Sequence, residues 1–245
     1  MTRSSDTATE PIFFPYIFLP SKRTRKEYGG KENADLDGGP LHCMMHSGSQ
    51  SISGRRLAGF DFTLHIRRVC EDVVARLEEL RHIDMGLVAV SFCQTRKGGH
   101  YGMYASLTPL RFAGGKTVAT RRGRQWGIQK VLENGREMLY ILNFYLPRFL
   151  NLEFREKLDT IVHELWHIGP KFDGDLRRFN GRCYAHSGSQ RQYDAQVKRL
   201  VDRWLAMGLR TEFSDFLRLN FRELAARHGR IYGRKVPAPK LLPLV

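Results

Sequence analysis

His163-Glu164-Leu165-Trp166-His167 places two histidines four residues apart with an acid beside the first. On an α-helix, positions four apart share a face, so His163 and His167 can present ring nitrogens to one ion. Glu164 can then reach an open coordination position. Zinc (Zn2+) held there lowers the pKa of bound water to about 7. Glu164 would take the proton from that water and later deliver it to a leaving amine. The five-residue pattern alone recurs by chance, and its surroundings raise its value. Leu158, Ile161, Val162, Leu165 and Ile168 form an apolar stripe on the same segment, and Glu164 is the single charge between 160 and 168. A helix that buries one acid between two histidines must satisfy that acid, and a metal-bound water does so. The competing reading is a surface helix with an incidental His/Glu face.

A catalytic zinc needs a third protein ligand and an open position. His186 is the expected ligand, in the irregular segment 179–189 after the helix. Asp173, Asp175, Asp194 and Cys183 compete for the role. Tyr184 is the expected hydrogen-bond donor to a developing oxyanion, with Tyr193 and Arg182 as alternatives.

The elements that must position these residues follow from periodicity. A helix is expected over about 61–82, capped by Asp61, with Val69, Val73, Leu77 and Leu80 at helical spacing. Two strands follow, at 87–92 and 101–107, joined as a hairpin through Lys97-Gly98-Gly99. Residues 113–127 form a basic loop. A third strand covers 137–145 and ends at Pro147. The metal helix runs from about Asn151, its cap, to Ile168, where Gly169-Pro170 stops it. Tyr193, Val197, Leu200, Val201 and Trp204 mark one further helix. Phe213, Phe216, Leu217 and Leu224 mark another. The expected fold class is therefore α+β, with helices packed on a small sheet. A loosely ordered basic leader (1–56) precedes the domain (57–228), and a basic, proline-containing tail without regular structure (229–245) follows it. The aromatic run at 12–18 is a candidate edge strand or partner-binding segment.

Composition sets the setting. The 245 residues include 40 Lys and Arg against 25 Asp and Glu, a formal net charge of +15. That excess favours DNA or RNA as a partner, and a solvated basic surface is the alternative. The clusters at 22–26 and 121–124 carry the same pair of readings. No stretch is apolar for long enough to span a bilayer, since 11–20 is too short and broken by prolines. No membrane association and no signal peptide are expected. Cys43, Cys70, Cys93 and Cys183 are too scattered for a disulfide scaffold, so a cytoplasmic location is expected. One motif stands apart: Cys43-x-x-His46-Ser47-Gly48-Ser49-Gln50 recurs at 183–190. Coincidence is the simpler reading, and a separate Cys2His2 zinc site the sharper one.

The segment 158–168 resembles the active-site helix of zincin-type metallopeptidases. The preceding strands and the later histidine make the chain more similar to the SprT-like proteins and to the phage and bacterial metallopeptidases related to them. The resemblance spans roughly residues 60–190 in order of elements, and is specific over 158–168 and at His186. It implies a zincin-like fold, hydrolysis of protein or peptide substrates, zinc ligands His163, His167 and His186, and Glu164 as catalytic acid and base. One SprT-like branch cleaves proteins crosslinked to DNA, in keeping with the basic charge. The paired-cysteine module of some SprT-like proteins is missing, and Trp166 is bulkier than the small residue often found there. The expected function is a zinc-dependent metallopeptidase; the alternative is a nucleic-acid-binding protein with a structural zinc and no hydrolytic activity.

Overall fold

The computed structural model describes residues 59–95, 102–178 and 190–244. The expected leader, the motif at 43–50, and Arg182, Cys183, Tyr184 and His186 lie outside the described residues. In chain order the elements are β1 (Phe60–Asp61), α1 (Phe62–Arg76), β2 (Val88–Gln94), β3 (Ala105–Pro109), β4 (Val118–Arg121), β5 (Arg124–Ile128), β6 (Leu132–Glu133), β7 (Arg136–Glu137), β8 (Tyr140–Leu146), α2 (Phe154–Trp166), α3 (Gln190–Ala206), α4 (Thr211–Ser214), α5 (Phe221–His228), β9 (Ile231–Tyr232) and β10 (Leu241–Leu244). The architecture is mixed α+β, with several small sheets. No helix among the described residues is long and apolar enough to cross a membrane.

Helix α1 buries Phe62, Ile66, Val69, Cys70 and Val73 along one face, as their spacing dictates. Asp61 caps it, its Oδ1 accepting the Leu64 N–H at 3.0 Å. The helix stops at Arg76, short of the expected residue 82. Leu77 leaves helical backbone (φ −94°, ψ 113°), and a 3-10 turn over Glu78–Leu80 follows. Both Leu77 and Leu80 stay fully buried, so their spacing prolonged the pattern after the backbone had turned.

The expected hairpin between the first two strands does not form. Strand β8 lies between them, parallel to β2 and antiparallel to β3. Composition explains the order. Tyr140, Ile141, Leu142, Phe144 and Leu146 are all buried, so β8 has apolar groups on both faces and takes the centre. Strand β3 alternates, with Ala105 and Leu107 buried and Ser106 and Thr108 less so, and takes an edge. One face of this sheet packs on α1 and α2 through Val88, Val90, Leu107, Leu142 and Phe144. The other carries a smaller core of Ala89, Leu110, Met138, Ile141 and Val236.

Two segments expected to be irregular are ordered. Residues 113–127 hold most of the β4–β5 hairpin instead of a loop. The tail contributes β9, which pairs with β1, and β10, which pairs with β5. Its Val236 N–H donates to Ser91 Oγ at 2.9 Å, which ties the tail across the small core.

Helix α2 begins at Phe154 with Glu153 as its cap. Asn151, the expected cap, accepts the Phe221 N–H instead, at 3.2 Å. The last expected helix is broken. A short α4 leads into a 3-10 turn over Asp215–Arg218, and α5 restarts where Asn220 accepts the Glu223 N–H at 2.9 Å.

Lys157 ties α2 to that break. It is 2% exposed, and its Nζ donates to the carbonyls of Leu217 and Leu219, both at 2.8 Å. Burial pulls its pKa down from 10.5 to about 8, against the opposing pull of Glu153 and Glu223. Between pH 8 and 10.5 the unfolded chain therefore binds more protons at this site than the folded one, so stability from Lys157 rises with pH. The expected result is that the melting temperature of the wild type gains on that of Lys157→Met as pH goes from 7.5 to 10. A constant difference across that range would place the titration of Lys157 elsewhere.

Candidate metal centre

His163 projects from the last turns of α2, and His167 is the helix C-cap, with φ −67° and ψ −20°. The backbone is thus still helical at His167, which preserves the four-residue spacing. The two Nε2 atoms stand 3.1 Å apart, and the rings are nearly perpendicular at 81°. Two nitrogens each about 2.0–2.1 Å from a tetrahedral zinc would stand about 3.3 Å apart. The pair therefore fits two positions on one ion.

The end of α2 is clamped by side chains that meet its terminal carbonyls. Tyr193 of α3 donates its hydroxyl to the His163 carbonyl at 3.1 Å. Its ring stacks on His167 at 28° with centroids 5.2 Å apart, and meets His163 edge-on at 4.8 Å. Burial raises the Tyr193 hydroxyl well above its ordinary range, with the Glu164 charge adding to the shift, so it remains a donor. The Tyr193 hydroxyl is thus turned to the end of the helix. On the other side, Arg177 Nε donates to the Trp166 carbonyl at 2.8 Å, and its backbone N–H to the His167 carbonyl at 2.6 Å. The guanidinium lies 3.8 Å over the Trp166 ring, a cation–π contact.

Glu164 is 6% exposed. Desolvation raises its pKa to about 8, and a hydrogen bond from the Leu107 backbone opposes the rise. That places the carboxyl near the Leu107 N–H on the outer edge of β3. Tyr145 N donates to Tyr104 O and Leu110 N to Leu139 O, so alternate residues of this strand face β8 and Leu107 faces outward. Tyr145 is the next titratable neighbour. Burial raises it, its hydroxyl lies 3.2 Å from Ser106 Oγ, and the Glu164 charge adds to the rise.

The competing acids after the helix are structural. Asp175 Oδ2 accepts from Gly114 N and Arg178 Nε, both at 2.8 Å, and Oδ1 from Leu176 N at 2.8 Å and Arg178 Nη2 at 3.0 Å. Asp173 Oδ1 accepts the Asp175 N–H at 3.2 Å. These bonds close the loop that the Ile168–Leu176 bridge begins. Among the described residues, no three His, Cys, Asp or Glu form a group that could hold a metal ion. His186 and Tyr184 lie outside the described residues. Sequence reasoning missed Arg177, which no periodicity marks. Tyr193, expected as an alternative oxyanion donor and as the start of the apolar stripe of α3, meets the His163 carbonyl.

The chain matches no protein-family model, no curated protein and no solved structure.

Proposed function

We propose that the chain is a zinc-dependent metallopeptidase with a zincin-like domain, acting on protein or peptide substrates. The observation that carries this reading is the convergence of His163 and His167 Nε2 atoms at 3.1 Å, with buried Glu164 adjacent. His163 and His167 would hold the ion, with His186 as third ligand. When bound, zinc supplies Lewis acidity and brings the acidity of water near pH 7. Glu164 takes a proton from the attacking water and returns it to the leaving amine. Tyr193 and Arg177 hold the two histidines in place, so that little rearrangement is needed when the ion binds. Tyr184 donates to the oxyanion. The edge strand β3, whose Leu107 N–H meets Glu164, offers a backbone template for an extended peptide.

The test is metal content by mass spectrometry on purified protein. It compares the wild type with His163→Ala/His167→Ala and with His186→Ala. About one zinc per chain, lost in both variants, supports the site and its third ligand. Retention of zinc in His186→Ala would remove that residue from the ion. No zinc in reconstituted wild type would end the hydrolase reading.

A further inference from the structure

The β4–β5 hairpin turns through Arg122 and Gly123, both at positive φ (51° and 73°), the backbone of a two-residue turn that matches strand twist. Its register sets Arg121 directly opposite Arg124, and Ala119 opposite Trp126. Residues two apart on a strand share a face, so the indole and the arginine pair are neighbours on one side of the ribbon. On the far flank, β10 places Pro243 opposite Trp126. Between these flanking strands the indole is partly buried, and what remains of its surface opens beside the arginines. Arg121, Arg122, Arg124 and Trp126 together line a surface concavity of about 480 Å³.

Several arginines elsewhere are paired with carboxylates, as Arg111 with Glu137, Arg155 with Asp202 and Arg203 with Glu79. Among the described residues no carboxylate is paired with Arg121, Arg122 or Arg124. Like charges directly opposite each other weaken a ladder, and this hairpin carries that cost at its tip. A guanidinium fork matches phosphate, and an indole face accepts a flat ring. A ligand that satisfies both carries phosphates and exposed planar bases. In a duplex the base faces are already stacked, whereas in a single strand they are free to stack on an aromatic side chain. A lipid headgroup would supply the phosphate but no ring. Leu242 and Leu244, exposed on β10, alternate with Pro243 and so fall on the other face.

We propose that this hairpin binds single-stranded nucleic acid, with Trp126 stacking on a base and Arg121, Arg122 and Arg124 holding neighbouring phosphates. The inference does not depend on the metal centre, and either can fail alone.

The experiment titrates the full chain with fluorescein-labelled 15-nucleotide oligothymidylate and oligouridylate. A duplex of equal length and phosphatidylglycerol vesicles serve as competing ligands. The single strands should bind tighter than either. Each neutralised phosphate should contribute about −0.7 to the slope of log affinity against log salt, so about −2 for three arginines. Arg121→Gln/Arg124→Gln should weaken binding at least tenfold and flatten the slope by about 1.4. Arg222→Gln/Arg227→Gln removes the same charge from α5 and should change affinity less than threefold. Trp126→Leu should weaken binding about tenfold and abolish the quench of protein fluorescence, because Trp166 lies under Arg177 and Trp204 is fully buried. Equal losses in the two arginine pairs would reduce the effect to net charge and overturn the site. So would tighter binding of duplex or vesicles, or no effect of Trp126→Leu.

Discussion

On the proposed function, Glu164→Gln should abolish amide hydrolysis and leave the zinc content of the protein unchanged. Glutamine has the shape of glutamate and keeps an oxygen for the Leu107 N–H. It cannot accept a proton from water, and loss of a positioned general base is worth about 10² to 10⁴ in rate. Folding should not suffer. Glu164 is buried, and a neutral amide is less costly to desolvate than a carboxylate. The measurements are peptide or casein hydrolysis, zinc by mass spectrometry, and the melting temperature, all on the same preparations. Undiminished hydrolysis in the glutamine variant would strip Glu164 of its role. Loss of zinc together with activity would make it a support for the ligands instead.

Trp204→Ala lowers the melting temperature by roughly 6 to 20 °C. Trp204 is fully buried, and its indole Nε1 donates to Asp72 Oδ2 at 2.8 Å. Asp72 is itself buried at 6% exposure on α1, and is held further by Arg76 at 3.3 Å and Arg210 at 3.5 Å. Truncation leaves a cavity between α1 and α3 and removes a donor from a buried carboxylate. The core term alone is about 3–5 kcal/mol, and each kcal/mol moves the midpoint by about 2–4 °C in a domain of this size. Trp204→Phe keeps most of the volume and loses only the donor, so its shift should be less than half as large. Because α3 also carries Tyr193, the alanine variant should bind zinc more weakly as well. A shift below about 2 °C would mean that Trp204 does not anchor α3 to α1.

What the chain disclosed in advance was local. Asp61 announces its helix because a carboxylate before an apolar periodic run has one obvious use. His163 and His167 disclose a shared face because helical spacing is a rigid rule. The Asn220 cap, with Glu223 three residues on, was not read from the sequence, because the apolar series from Phe213 to Leu224 masked the break. Partner choice was not local. Nothing near Ala105–Pro109 says that its neighbour is a strand beginning at Tyr140. That depends on which strand can be covered on both faces, a property of the assembled sheet. The β4–β5 hairpin escaped for a different reason. Its turn is Arg-Gly and not Asn-Gly, and arginines at the tip look like a solvated loop. Arg177 could not be found by pattern, because its value lies in what the chain beyond Ile168 folds back to touch.

The pairing of β1 with β9, and the bond from Arg234 N to Thr63 Oγ1, span 171 positions. At a synthesis rate of about 5–20 residues per second, the start of α1 waits about 10 to 30 s for its partner strand to be made. Until then Phe60, buried in the finished fold, has no sheet neighbour. Nascent chains therefore pass through a long interval with an apolar helix start uncovered, when a holding chaperone would matter most. Fragments cut before residue 231 remain in that condition permanently, and should be recovered from the insoluble fraction.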